Sequence, residues 1–203
     1  MENLRSFIES GILESYVSGV ATLQQVELVE QMASSSSEVR AEIESISEAL
    51  ESYALANAVT PDIMVRPFVM ATIDYTERMK NGEPRSFPPG LTERSSASEF
   101  SEWLNRPDMV LPEFPGEIHA RIISYTQQIM TAIVWIHDRT SEEVHDSEYE
   151  KFLILEGTCN ISVGKEVYGL GPGDFFSIPL HKIHQVVVTS PIPCKVILQR
   201  IAA

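Results

Sequence analysis

The hydrophobic period of this chain changes once, and that change limits what the chain can fold into. From the N-terminus to about residue 81, apolar residues recur at helical spacing. From about Glu117 they fall in short blocks rich in β-branched and aromatic residues, most of them separated by turn signals. Neither a helical bundle nor a sheet protein alone accounts for both patterns. The expected fold class is α + β, with a region of about four helices followed by an all-β domain.

In the helical part, Phe7, Ile8, Ile12, Leu13, Tyr16 and Val17 share one face, and Gly19 is the expected stop. Thr22-Leu-Gln-Gln25 has the form of a capping box and opens a second helix bearing Leu23, Val26, Val29 and Met32. The serine run Ser34 to Ser37 interrupts it. Ser35 with Glu38 is the expected cap of a long third helix, with Val39, Ile43, Ile46, Leu50 and Tyr53 on one face. Thr60-Pro61 reads as an N-cap followed by proline at the first helical position. The fourth helix then runs to about Lys80, bent or restarted at Pro67.

Asn81 to Gly90 is rich in proline and glycine, lacks an apolar period and reads as a linker. Ser96-Ala-Ser-Glu99 can cap a short helix bearing Phe100, Trp103 and Leu104. The expected organisation is a helical domain over 1–82, a linker over 83–95 and a β domain over 96–203 with a short leading helix. Strands are expected at Ile118 to Tyr125, Ile129 to Ile136, Lys151 to Leu155, Cys159 to Val163, Glu166 to Leu170, Phe175 to Ile178, Gln185 to Thr189 and Cys194 to Ile201. Gly164-Lys165 reads as a hairpin turn. Short strands at this spacing suggest a barrel or jelly roll.

Charge narrows the partners. Lys plus Arg is 15 against 29 Asp plus Glu, a formal net charge of −14. Residues 1–90 hold 14 acids and 6 bases. Nucleic acid is therefore disfavoured and a basic partner favoured. No stretch approaches the roughly 20 apolar residues of a membrane span. No signal peptide is visible, so the cytoplasm is the expected compartment. Cys159 and Cys194 are expected to be buried thiols, and a redox pair only if their strands are neighbours. No nucleophile motif, phosphate loop or dinucleotide fingerprint is present, so no catalytic residue is assigned.

Two segments carry chemistry. One is Glu143-Val-His145-Asp-Ser-Glu-Tyr-Glu150, running on to Gly157. The other is Gly171-Pro-Gly173-Asp174, running through Pro179 to His184. Imidazole and carboxylate groups on separate strands of a small barrel can converge on a divalent metal.

Over about 110–203 these motifs resemble the cupin family. Glu150 stands seven residues before Gly157, as that family's glutamate does before its glycine, and Gly173, Pro179 and His184 match the second motif. His181 stands where a glycine is usual. The resemblance implies a double-stranded β-helix and a metal site of His145, Glu150 and His184, with Glu143 as fourth ligand in place of a histidine. That replacement favours manganese, iron or zinc over copper. Shifting the loop by one residue would instead place Val144 and Asp146 at the ligand positions. Glu148 shares the strand parity of Glu150 and rivals Glu143, and a metal-free polar pocket is the alternative use of the same site. His119 and His137 read as strand-end histidines, and Trp135 and Phe152 as core.

Residues 11–57 resemble the helical sigma-binding domain of anti-sigma factors. The matching stretches are Gly11-Ile-Leu-Glu-Ser-Tyr-Val-Ser-Gly19, Glu27-Leu-Val-Glu-Gln-Met32, Glu38-Val-Arg-Ala-Glu-Ile43 and Ala49 to Tyr53. Met32, Ser36 and Val39 occupy the positions of a zinc motif found in many such domains, so the resemblance is to the zinc-free branch, with Met32 and Val39 packing in place of the metal. Such a domain followed by a cupin is the plan of the ChrR-like anti-sigma factors. This implies an extracytoplasmic-function sigma factor as partner, a cupin that senses a metal or small-molecule ligand, and a homodimer through the cupin sheets. The rival expectations are a metal-dependent cupin oxygenase or isomerase with a helical oligomerisation extension, and a non-catalytic cupin whose helices serve homo-oligomerisation.

Overall fold

Gly11, at φ 80°, breaks the first expected helix in two, because the left-handed region ends one helix and starts the next at low cost for glycine. The result is α1 (Glu2–Ile8) and α2 (Ile12–Val17). The computed structural model describes residues 2–203. Thr22 caps α3 (Leu23–Ser35), and both bonds of the capping box with Gln25 form. Ser36, rather than Ser35, caps α4 (Ser37–Ala56) by accepting from the Val39 N–H at 3.3 Å.

The chain divides into two units between Thr60 and Pro61. In the first, Leu13, Val29 and Val39 are fully buried, and Met32, Ile43 and Ile46 pack around them. Met32 and Val39 thus pack together in this core.

The sequence places the domain boundary at residue 82, but the fourth long helix belongs to the second unit. This helix, α5 (Val65–Lys80), packs on the strand β1 (Ile118–Tyr125). It starts at Val65 and not at Pro61. Asp62 accepts from the Met64 N–H at 2.8 Å. Pro67 falls in the first turn, where its missing N–H costs nothing, so the helix is neither ended nor restarted there. Phe68, Ala71 and Tyr75 face the β core.

The stretch expected to be a linker is a strap laid on the sheet. Ser86 donates to the Ile123 carbonyl and accepts from Ser124 through its own carbonyl. Leu91 is fully buried. Its N–H donates to Gln199 Oε1, and Gln199 Nε2 donates to the Pro89 carbonyl. Glu83 pairs with Arg78 and Arg106 at 2.6 and 2.7 Å. After the strap, Ser96 and Glu99 form the expected capping box on a single 3-10 turn (Ala97–Phe100), which leads into the short α6 (Ser101–Leu104). Phe100 and Trp103 are buried.

The other strands are β2 (Ile129–Ile136), β3 (Glu148–Glu156), β4 (Cys159–Val163), β5 (Glu166–Leu170), β6 (Phe175–Ile178), β7 (His184–Val188) and β8 (Cys194–Ala202). They match the expected runs to within three residues at either end. Two antiparallel sheets result, ordered β1-β2-β8-β3-β6 and β5-β4-β7. One apolar cluster, holding Val134, Phe152, Ile161, Val186 and Leu198, includes residues of both sheets. A second, holding Leu91, Phe100, Trp103, Trp135 and Ile197, lies under the strap. Trp135 and Phe152 are core residues, as expected. Cys159 and Cys194 are buried free thiols in the first cluster. Among the described residues, no helix is long and apolar enough to cross a membrane.

Candidate metal centre

Glu150 lies in β3, directly across from Ile178 of β6 and Arg200 of β8. Its side chain points into the unit and is 2% exposed. His184 begins β7, paired across from Val163 of β4, and is equally buried. The loop before β3 is zippered onto β7. Glu143 and His184 exchange both backbone bonds, at 2.9 and 3.0 Å, and the Thr140 N–H donates to the Val186 carbonyl. The His145 carbonyl accepts from the His181 N–H at 2.9 Å. His181 holds φ 59°, a left-handed conformation, which accounts for glycine being usual at its position.

These elements bring Glu143, His145, Glu150 and His184 together, with one ligand atom from each lying within 4.8 Å of the others. His184 Nε2 is 3.1 Å from Glu150 Oε2, and His145 Nε2 is 3.5 Å from the same oxygen. Val144 is exposed. Asp146 is exposed and pairs with His181 at 3.0 Å. Glu148 is also exposed, and neither it nor Asp146 is in the cluster. His119 is partly buried beside Trp135, 5.5 Å between rings, away from the cluster, and His137 is exposed.

Arg200 is the member that sequence reasoning missed. Its Nε donates to Glu150 Oε1 at 2.9 Å, and its Nη2 lies 3.7 Å from Glu143 Oε2. Burial pushes the Glu150 carboxyl up, but the two imidazoles and the Arg200 charge outweigh it, holding Glu150 well below the usual carboxylate range. Burial and the neighbouring Glu150 charge push Glu143 up instead. Burial alone would lower His184; the hydrogen bond to Glu150 reverses this and raises it.

This group fits a divalent cation. His145 Nε2 is buried with no hydrogen-bond partner, as a lone pair reserved for a metal would be. Arg200 occupies Oε1 of Glu150 and leaves Oε2 facing the imidazoles. Metal bonds of about 2.0–2.2 Å place tetrahedral ligand atoms roughly 3.4 Å apart, close to the separations seen here. Two nitrogens and two carboxylate oxygens suit zinc, manganese or iron.

The cupin domain family matches residues 132–199. No curated protein matches the chain. Among solved structures, the cupin domain of Schizosaccharomyces pombe Cnp3 is similar at 10% identity and a TM-score of 0.43, covering 48% of this chain and 71% of its own. A cupin superfamily protein from Desulfitobacterium hafniense is similar at 17% identity and a TM-score of 0.42, covering 60% of this chain and 100% of its own. A predicted oxalate decarboxylase from Thermotoga maritima is similar at 15% identity and a TM-score of 0.41, covering 43% of this chain and 83% of its own. Residues 132–199 of this chain, which carry all four candidate ligands, are a cupin domain.

Proposed function

We propose that this protein is an anti-sigma factor whose helical unit holds an extracytoplasmic-function sigma factor and whose cupin binds a divalent metal as a sensor. The observation that carries this reading is the apolar stripe of α4. Val39, Ile43, Ile46, Leu50 and Tyr53 follow one helix face. The stripe begins buried at Val39 and ends with Leu50 42% and Tyr53 70% exposed. It lies in a 60-residue unit with ten glutamates and two arginines. An exposed apolar row framed by negative charge suits a partner with a basic, apolar-patched surface.

In the cupin, Glu143, His145, Glu150 and His184 would hold the metal, and Arg200 would fix Glu150 while balancing its charge. A bound divalent metal supplies Lewis acidity and a charge that a ligand can read. The cavity lined by Glu143, Glu150 and His184 is about 10 Å³, room for roughly one water. With Met64 in place, that leaves no room for an organic substrate.

Two measurements test the reading. Elemental analysis of the purified protein should give about one metal per chain, lost in His184→Ala. Co-expression with candidate sigma factors should give a complex that survives purification and is lost in Tyr53→Glu. Failure of every sigma factor to co-purify would overturn the partner assignment. Absence of metal after supplementation would overturn the sensor.

A further inference from the structure

The start of α5 lies over the metal centre. Met64, 8% exposed, lines the cavity together with Glu143, Glu150 and His184. One turn on, the Phe68 ring covers the Arg200 guanidinium, 4.7 Å from its centroid. Under this cover, Arg200 Nη2 is buried and makes no hydrogen bond. An unpaired buried donor is costly to keep, and a bound acceptor would satisfy it.

The two ends of α5 are held unequally. Met64, Phe68, Ala71 and Tyr75 all pack in one apolar cluster, and the difference lies in the polar ties: toward the C-terminus Arg78 donates to the Ile122 carbonyl and pairs with Asp74 and Glu83. At its N-terminus, the polar tie is one exposed hydrogen bond, from Ser141 Oγ to Asp62 Oδ1 at 2.8 Å. Met64, at the N-cap position, makes no side-chain cap. The first two turns can therefore lift while the rest of the helix stays docked.

Charge selects what would replace them. Two carboxylates against one guanidinium leave the metal-free centre with one negative charge when both imidazoles are neutral. A divalent cation reverses this to one positive charge, which a single carboxylate neutralises.

We infer that the first two turns of α5 are a lid over a closed pocket for a monoanionic carboxylate. Docking of the lid and binding of the carboxylate to the metal-loaded centre exclude each other. The carboxylate accepts from Arg200 Nη2 once Phe68 is displaced and occupies the space that Met64 now fills. The lid starts shortly after Thr60, where the first unit ends. The inference rests on the metal assignment made above, because the metal-free centre would repel an anion.

The test uses full-length protein loaded with Mn²⁺ and acetate as the probe, with binding followed by calorimetry and by hydrogen exchange of the amides of residues 65–70. Acetate should speed that exchange at least tenfold, and only when Mn²⁺ is bound. An oxidised Asp62→Cys/Ser141→Cys variant, tethering the lid, should bind acetate at least tenfold more weakly than the same protein after reduction. Met64→Ala should bind acetate about tenfold more tightly than wild type, because less packing is lost on opening. Normal Mn²⁺ uptake with equal acetate affinity in tethered and reduced forms would overturn the lid alone. Failure to take up Mn²⁺, Zn²⁺ or Fe²⁺ would overturn both the lid and the metal assignment.

Discussion

Among the described residues, Leu13, Val29 and Val39 are the fully buried apolar residues of the first unit, whereas the second buries two separate clusters, one including residues of both sheets and one beneath the strap. A unit of about 60 residues with so small a core sits near the limit of independent stability. Its long helix carries apolar residues that its own fold does not cover. The β unit has apolar burial in excess, and can afford a charged cluster of Glu143, Glu150 and Arg200 inside it. The contrast separates two jobs: a surface completed by a partner, and a scaffold stiff enough to hold ligands at fixed distances.

The largest way to break the contrast is Glu150→Ala. It leaves Arg200 buried with only the longer Glu143 contact, 3.7 Å from its Nη2, and losing one half of a buried pair costs about 3–5 kcal/mol. Denaturant unfolding should show the β-unit transition shifted by that amount, with metal binding lost. A shift below about 1 kcal/mol would mean that the cluster is solvated and not part of the scaffold.

Leu13→Ala tests the other side. Removing a fully buried leucine costs about 2–5 kcal/mol, which a core of three residues cannot absorb. The helical signal of the first unit should melt early while the β-unit transition stays in place, since each unit has its own core. A single transition that moves as a whole would show that the two units fold as one.

Tyr53→Ala should separate binding from folding. An exposed residue contributes within about 0.5 kcal/mol to stability, but an aromatic anchor at an interface costs about 2 kcal/mol when truncated. Partner capture should weaken roughly thirtyfold while the melting curve is unchanged. Unchanged capture would remove the α4 stripe from the interface.

The strands were legible in the sequence because their signals are local: β-branched blocks between turn residues mark each one. The four candidate ligands came from the resemblance of the Glu143 to Gly157 and Gly173 to His184 segments to the cupin motifs, and the fold brings those four side chains together. What was not legible depends on distant contacts. The helix α5 is apolar on two faces, with Phe68, Ala71 and Tyr75 inward and Val65, Val69 and Ile73 about half exposed. Periodicity predicts the helix but not which unit it joins. The strap over 83–95 lacks a period because backbone and polar bonds, such as Leu91 to Gln199, hold it. Arg200 reaches Glu150 only through the register of β3 with β8, residues fifty apart in sequence. The division of the first helix at Gly11 could have been read, since an isolated glycine inside a helical pattern is a break signal.

The smallest expected effect is on acid stability, and it sharpens the contrast by tying the strap to the β unit. Hydrogen bonding to Arg106 holds Glu83 below its ordinary value of 4.5, despite opposing burial, with Arg78 adding to it. Hydrogen bonding to Arg106 likewise holds Asp108 below its ordinary 3.8. For both groups the folded carboxyl is the stronger acid. Their stabilisation is therefore complete above the ordinary values and is lost as pH falls through the depressed folded ones. Glu143 has the opposite sign: its raised carboxyl stabilises the fold below 4.5, and that stabilisation fades as pH rises through its folded value. Below pH 4.5 Glu83, Asp108 and Glu150 act together, and Arg106→Gln separates them. The β-unit midpoint should fall as pH drops below about 4.5 in wild type. In Arg106→Gln the slope should be shallower, because only the part owed to Glu150 and to the remaining Arg78–Glu83 and Arg121–Asp108 contacts survives. Equal slopes in the two proteins would mean that the Arg106 network is screened by solvent, and that the strap is held by buried Leu91 and by the hydrogen bonds of Ser86 and Leu91 to the sheet.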